Sequence, residues 1–221
     1  MMKILFSTIG QKIQIALSGL LLSVFLLFHL INNLALFSGP DVFNSMVGFL
    51  ENIKPIIRIM ECGLLLVLLL HIINALSLNY KNQKATPLQY SYDAQSEITT
   101  LNSRTMAVSG SIILIFFIIH LSYMWYTYQI HDFLPGETYY DVILRTKLGF
   151  LGHSPTACFY ILSIILIGVH IKHGFQSSLK TFGIFSGSKL YILNYFGFVF
   201  WGIIPGLFIV IVVAIQLGII R

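Results

Sequence analysis

The chain has 221 residues, of which 57% are hydrophobic and only 10% are charged. This composition excludes an ordinary soluble domain, in which about a quarter of the residues are charged. The net charge of +5 could indicate an anionic partner. In so apolar a chain, however, the distribution of charge along the sequence is more informative, and we expect no nucleic-acid partner.

Five apolar segments follow one another, and each is long enough to span a bilayer, which takes about 20 helical residues. Because they use most of the chain, we expect an all-α integral membrane protein with a single domain, residues 1–221. The first segment is too long for a cleavable signal peptide, and no cleavage pattern follows it. The predicted spans are Ile13–Phe37, Ile56–Leu78, Met106–Tyr128, Thr156–Leu179 and Tyr191–Ile220.

The basic residues predict the orientation, because Lys and Arg are enriched on the cytoplasmic side of membrane proteins. With the N-terminus inside, eight of the thirteen Lys and Arg residues fall on the inner side, and six of the eight acidic residues fall on the outer side. We therefore expect a cytoplasmic N-terminus and an external C-terminus. The words inner and outer refer to this expected orientation throughout.

Four of the seven histidines lie deep within four of the predicted spans. An imidazole in hydrocarbon is costly unless it has a partner. At a rise of about 1.5 Å per residue, His29 and His120 lie about 26 and 24 Å from the inner edge, and His71 and His170 both lie about 15 Å from it. The sequence thus predicts an outer pair on the first and third spans and an inner pair on the second and fourth.

This arrangement favours two haems, each held by two histidines. In an antiparallel four-helix bundle the first helix is diagonal to the third and the second to the fourth, and a flat macrocycle ligated on both faces needs ligands from opposite sides. We predict His29 with His120, and His71 with His170, as axial ligands. The alternative is that each imidazole bonds to a nearby carbonyl or hydroxyl group. His173, one turn beyond His170, is the rival ligand, but its depth matches His71 less well.

The first and third spans also resemble each other. SGLLLSVFLLFHL (Ser18 to Leu30) and SGSIILIFFIIHL (Ser109 to Leu121) share a Ser-Gly pair, a Phe and a His at the same spacing. Gly19 and Gly110 lie about 15 Å inward of the outer histidines, near the level of the inner pair. We expect these glycines to make room for the inner macrocycle, because glycine allows close approach to the backbone. Ordinary small-residue helix packing is the alternative.

Polar residues near the inner edge are candidates for holding haem propionates, which seek cations and hydroxyls. Arg104 and Lys180 are the predicted propionate partners, with Ser18 and Ser109 as further inner-edge groups. Interfacial anchoring by snorkelling basic side chains is the alternative for the two cations.

Carboxylates are almost absent from the spans. Apart from Glu61, near the outer end of the second span, no Asp or Glu lies within one, so proton exchange is expected near an edge. On the outer side Glu51 and Glu61 are candidates for it. Asn33, just beyond His29, is a neutral hydrogen-bonding group at the same level.

The stretch SG…FLLFHLINNL around His29, the placement of His71 and His120, and HIKHGFQSSLKTFG from His170 to Gly183 together resemble a known family. It is the di-haem cytochrome b (cytochrome b558-type) membrane anchor of succinate dehydrogenase and fumarate reductase. The resemblance covers nearly the whole chain. The last stretch is its most specific part, and its first histidine is the family's ligand position.

The resemblance implies a function and a set of partners. The chain would anchor a flavoprotein with FAD and an iron–sulfur subunit to the cytoplasmic face of a bacterial cytoplasmic membrane. As a subunit of an enzyme of the respiratory chain and the tricarboxylic acid cycle, it would carry the quinone half-reaction and not the dicarboxylate site. Menaquinone is the implied quinone, with Glu51, Glu61 and Asn33 as candidate site residues. Electrons would pass through the inner haem of His71 and His170 and the outer haem of His29 and His120.

Two other functions remain compatible with the sequence. The chain could be the di-haem cytochrome b anchor of another respiratory oxidoreductase, of the formate dehydrogenase or hydrogenase type. It could also be a helical membrane transporter without haem, against which stand the sorting of the histidines into two levels and the lack of charged residues at the midplane.

Overall fold

The computed structural model describes residues 7–85, 106–184 and 188–221, and these residues form helices and connecting turns without any strand. Five helices are long and apolar enough to cross a membrane, as the sequence predicts. We refer to them as the first to fifth spanning helices. They are Thr8–Leu34, Lys54–Ala85, Met106–Ile130, Ser154–Thr181, and Ser188–Gln216.

The order of packing around the bundle decides which histidines can meet. The first spanning helix packs against the second and the fourth, and the third packs against the fourth. The first and third helices are therefore diagonal to each other, and so are the second and fourth. The fifth helix packs against the first and fourth from outside. This is the arrangement that diagonal pairing of the histidines requires.

Polar side chains fix the register between the first two spanning helices near their inner ends. Gln11 Nε2 donates to Ser77 Oγ (3.0 Å), and one turn further on Asn74 Nδ2 donates to Gln14 Oε1 (2.9 Å). Lys81 Nζ donates to Gln11 Oε1 (2.7 Å). The second helix consequently extends to Ala85, beyond the predicted end at Leu78, because its polar last turns have partners that hydropathy alone does not reveal.

Two short helices lie at the outer end of the bundle, in connections that the sequence left unassigned. The first is Pro40–Asn52 and the second is Tyr139–Leu144. Asn44 Oδ1 accepts a hydrogen bond from the backbone N–H of Tyr140 (3.0 Å), and the Phe43 and Tyr140 rings pack edge to face. Since both rings are buried, these rim helices close the apolar core at the outer end.

The third and fifth spanning helices each contain one π-helical turn, Leu121–Trp125 and Val199–Ile203. The second of these lies just before Pro205, a residue that cannot donate the backbone hydrogen bond of a helix. A Cβ built on Gly168 of the fourth helix would lie only 2.9 Å from the Trp201 backbone oxygen. The fifth helix therefore packs closely against the fourth at a position where only glycine leaves enough space.

Arg145 stabilises the outer loop between the third and fourth spanning helices. Its Nε and Nη2 donate to the two Glu137 carboxylate oxygens (2.8 and 2.5 Å), and Nη2 also reaches the Asp132 backbone oxygen (2.6 Å). The Glu137 carboxylate also accepts a hydrogen bond from the backbone N–H of Leu134 (2.8 Å). These hydrogen bonds, with that of Arg145 the largest effect, hold the pKa of Glu137 below its usual value of 4.5.

This low pKa predicts a pH-dependent loop. A carboxyl group whose pKa is lowered by folding contributes stability above its unfolded pKa and loses it as the pH falls through the folded pKa. Hydrogen exchange of the Leu134 amide should therefore accelerate between about pH 5 and about pH 2, beyond the intrinsic change in exchange rate. In Glu137→Gln that amide should exchange faster at neutral pH and show no such additional step; an unchanged pH profile in the variant would contradict the assignment.

Candidate functional site

The four deep histidines form two facing pairs. The ring centroids of His29 and His120 are 5.8 Å apart with the ring planes at 84°, and those of His71 and His170 are 6.4 Å apart at 63°. Within the described part of the chain these rings meet only between the first and third helices and between the second and fourth. The pairs that face each other are thus the pairs that the depth estimate predicts, whereas metal binding by them stays a prediction.

The separations fit a metal ion between each pair of rings. A metal–imidazole nitrogen bond is about 2 Å and the ring centre lies about 1 Å further, so two imidazoles on opposite sides of one metal have centroids about 6 Å apart. Among the described residues no three His, Cys, Asp or Glu side chains cluster as an ion held by protein alone would require. A haem iron takes four ligands from its macrocycle and needs two from the protein, which is what each pair offers.

The outer rings are held by aromatic packing. Phe25 stacks on His29 and Phe116 on His120, both with centroids 5.6 Å apart and planes within 22° of parallel. These are the phenylalanines that the repeated sequence places four residues before each histidine. The Tyr160 hydroxyl lies 3.3 Å from Nδ1 of His120. The repeat therefore builds the same ring support on two diagonal helices.

The Ser-Gly pairs of the same repeat lie against the inner rings. Ser18 Oγ is 3.0 Å from His71 Nδ1, and a Cβ on Gly19 would lie 3.4 Å from His71 Cε1. On the diagonal helix Ser109 Oγ is 3.4 Å from Nδ1 of His170. The two serines were predicted as haem-binding groups at the inner edge, whereas in the structure they contact the inner histidines themselves.

The predicted propionate partners are less well defined. Arg104 lies outside the described residues. Lys180 is exposed and lines a groove of about 250 Å³ together with side chains of the fourth and fifth helices. Ten residues separate it from His170, or about 15 Å along the helix axis, so its role as a propionate partner stays a prediction.

The other histidines do not join either pair. His173 is half-buried on the fourth helix, and neighbouring Lys172 Nζ lies over the Trp201 ring at 4.7 Å from its centroid. His131 is at the outer rim, 3.3 Å from Lys54 Nζ, and His153 Nδ1 lies 2.9 Å from Thr156 Oγ1. These contacts are typical of histidines in loops and near the membrane interface.

The candidate proton-exchange residue Glu61 belongs to a polar cluster between the second and third spanning helices. It forms an ion pair with Arg58 (2.6 Å) and accepts a hydrogen bond from Trp125 Nε1 (3.0 Å). Arg58 also donates to the Gln129 side chain. Trp125 lies in the π-helical turn that follows His120 directly, and that turn lines a groove of about 460 Å³. Sequence analysis identified Glu61 but not this groove, because no sequence pattern marks a π-helical turn.

Glu51 and Asn33 have other partners. The Tyr139 hydrogen bond, followed by the nearby His131 and Lys54, lowers the pKa of Glu51, and burial together with Glu51 raises the pKa of Tyr139 to about 12. Glu51 therefore holds a proton less readily than an ordinary carboxyl group. Asn33 Nδ2 donates back to the His29 carbonyl (2.8 Å) within its own helix.

Comparison with known proteins adds no assignment: no protein-family model, curated protein or solved structure matches this chain.

The close approach of Gly110 to the inner pair gives a testable prediction. A Cβ at this position would lie 3.5 Å from His170 Cε1, in ordinary contact. Gly110→Ala should therefore retain both haems. In Gly110→Leu the further side-chain atoms should push the His170 ring aside and lower haem occupancy at the inner site only, measured as haem per protein in the purified membrane protein. Full occupancy in both variants would show that the glycine makes no room there.

Proposed function

We propose that this chain is the cytochrome b membrane anchor of a succinate:quinone oxidoreductase, carrying electrons between an iron–sulfur subunit and a quinone through two b haems. The haem assignment rests on one observation. The four imidazoles form two facing pairs, an outer pair and an inner pair, with ring centroids 5.8 and 6.4 Å apart. The assignment to succinate:quinone oxidoreductase is supported by the resemblance around His29 and from His170 to Gly183.

The two histidine pairs would each hold one haem. His71 and His170 would hold the inner haem, and His29 and His120 the outer one. When bound, the two haems would supply one-electron carriers stacked across the bilayer. The helices supply fixed ring positions and an apolar surrounding that excludes water from the midplane, where no acidic residue lies within a spanning helix except Glu61 at its outer end.

The quinone half-reaction needs protons as well as electrons, and we place it at the open groove on the π-helical turn that follows His120. Leu121, Ser122, Trp125 and Tyr126 line it, and the Glu61 carboxylate lies behind Trp125. Of the three predicted quinone-site residues, Glu61 alone contacts a groove-lining side chain; the other two are engaged in the contacts described above. Menaquinone is the proposed quinone, and its headgroup would lie between this groove and the outer histidines.

The orientation and partners belong to the same proposal. The N-terminus and the inner haem would face the cytoplasm of a bacterium. There, an iron–sulfur subunit and a flavoprotein with FAD would dock, and the dicarboxylate chemistry would occur in the flavoprotein.

A visible spectrum tests the haem assignment. The purified chain should contain two haems and show a reduced α-band typical of b-type cytochromes. His71→Ala or His170→Ala should remove one component of that band, and His29→Ala or His120→Ala the other. A colourless protein would rule out the haem proposal and favour a transporter.

His173→Ala is the matched control for these ligand variants. Because His173 lies one turn from His170 and outside both pairs, its variant should retain the complete spectrum. If His173→Ala lost the inner-haem component of the α-band and His170→Ala kept it, His173 and not His170 would be the ligand of the inner haem.

Partner and substrate are tested by isolating the complex from membranes of the native source. A flavoprotein and an iron–sulfur protein should copurify, and succinate should reduce both haems. Reduction by formate or hydrogen instead would assign the chain to the anchor of a different respiratory oxidoreductase, and the haem part of the proposal would stand.

The role of Glu61 gives a kinetic prediction. General acid–base catalysis by a positioned side chain contributes about 100-fold or more, so Glu61→Gln should lower quinone turnover by roughly that factor while the haem spectrum is unchanged. Glu51→Gln is the control and should have little effect. The reverse result would move proton exchange to the rim cluster of Glu51 and Tyr139.

A further inference from the structure

Two buried serines contact the inner histidines, and among the described residues no serine contacts the outer pair. Ser18 and Ser109 are each 8% exposed, and each places Oγ beside Nδ1 of the histidine on the neighbouring helix, at 3.0 Å from His71 and 3.4 Å from His170. Nδ1 is the ring nitrogen that an Nε2-ligated imidazole leaves free. Ligation of a metal through Nε2 would therefore leave both serine contacts in place.

The direction of these hydrogen bonds follows from the hydroxyl hydrogens. Ser18 Oγ donates its only hydrogen to the Gln14 carbonyl (2.6 Å), with the Ile15 carbonyl also near (3.1 Å). Ser109 Oγ donates to the Met106 carbonyl (3.0 Å). A hydroxyl whose hydrogen is already engaged can only accept a second bond. This network favours the tautomer of each inner histidine with the proton on Nδ1, which leaves the Nε2 lone pair free to bind a metal.

The Ser18 contact is held in register by its neighbours. Along the interface of the first two spanning helices, Gln11 meets Ser77, Gln14 meets Asn74 and Ser18 meets His71 at successive turns. The residue numbers increase along the first helix while those of their partners decrease along the second, because the two helices are antiparallel. The hydroxyl therefore reaches His71 at a position that two further hydrogen bonds determine.

The outer pair lacks this device among the described residues. His120 Nδ1 lies near the Tyr160 hydroxyl (3.3 Å), and no backbone carbonyl takes the hydrogen of that hydroxyl. His29 is held by stacking on Phe25 and by its contact with the Phe208 ring. The two levels thus differ in how the free ring nitrogen is bound.

We infer that Ser18 and Ser109 are positioning residues that fix the tautomer and orientation of the inner histidines and strengthen Nε2 as a metal ligand. The inference rests on the haem part of the proposed function. A hydrogen-bond acceptor at the second nitrogen of a ligating histidine fixes the ring and raises its basicity, and its removal typically costs about 10-fold to 100-fold in affinity. The Ser-Gly pair of the repeat then acts as a unit, with the hydroxyl holding the ring edge and the glycine leaving space beside it.

Alanine variants of the two serines test this inference in the full chain. Ser18→Ala should lower affinity for the inner haem about tenfold, and it should shift the reduction equilibrium of that haem toward the reduced form, because the ligand donates less electron density to the iron. A tenfold shift corresponds to about 59 mV for a one-electron couple. Ser109→Ala should act in the same direction but less strongly, since its contact is longer. The outer haem should be unchanged in both.

The chain offers matched controls on the same two helices. Ser23 Oγ bonds to the Gly19 carbonyl (2.8 Å) and Ser111 Oγ to the Ala107 carbonyl (2.9 Å), the same bond four residues back, but neither contacts a histidine. Ser23→Ala and Ser111→Ala should leave both haems at their original potentials. Ser18→Thr, which keeps the hydroxyl, should return the inner haem to its wild-type potential, whereas Ser18→Ala raises it. Equal behaviour of Ser18→Ala and Ser23→Ala would overturn the inference.

Nitrogen-15 NMR of histidine-labelled full chain in lipid bilayers separates this inference from the haem proposal. His71, assigned by its absence in His71→Ala, should be protonated at Nδ1 in the wild type and become a mixture of tautomers in Ser18→Ala. If the wild type binds no haem, the proposed function fails while this tautomer result still decides the role of Ser18. Protonation at Nε2 in the wild type would overturn the inference even in a chain with two haems.

Discussion

The cost of placing an imidazole in hydrocarbon is the constraint on which the rest of the structure depends. A polar ring at the midplane of a bilayer needs a partner, and four spanning helices each carry one such ring. The bundle brings the rings together in two diagonal pairs and places hydroxyl groups next to three of them. For the rings on diagonal helices to face each other, the spanning helices must pack in the order second, first, fourth, third. The fifth helix packs against the outside of this bundle. The architecture is therefore organised around the histidines as much as around its apolar core.

The two levels are built by one repeated pattern that serves both. On the first and third helices a Phe and a His form the outer level, and a Ser and a Gly on the same helices support the inner level on the neighbouring helices. Each of these helices thus contributes a histidine ring to the outer level and a Ser-Gly pair that contacts a histidine of the inner level. A change in its tilt or rotation would disturb both levels together, which links the geometry of the two sites.

The sequence predicted what depends on distance along a helix and missed what depends on rotation and on neighbours. The rise per residue sufficed to separate His29 and His120 from His71 and His170, because all four lie on regular helices. The rim helices Pro40–Asn52 and Tyr139–Leu144 were missed because they are short and contain no long apolar run. Pro40 begins the first of them, a capping box of Thr138 and Asp141 begins the second, and a hydrogen bond from the Tyr140 backbone to Asn44 joins the two. The contact between Ser18 and His71 was missed because it requires the register of two helices, which the Gln11 and Gln14 hydrogen bonds determine only in the folded chain.

The π-helical turn at Leu121–Trp125 divides the third spanning helix into two parts with separate rotational phases. Such a turn contains one residue more than an α-helical turn, so the side chains beyond it point about a quarter-turn away from where an unbroken helix would place them. His120 lies on one side of this step, and Tyr126 and Gln129 lie on the other. Sequence changes beyond the step can therefore alter which groups surround the groove without rotating His120 away from His29. The chain can vary its outer rim while its imidazole pairs stay in place.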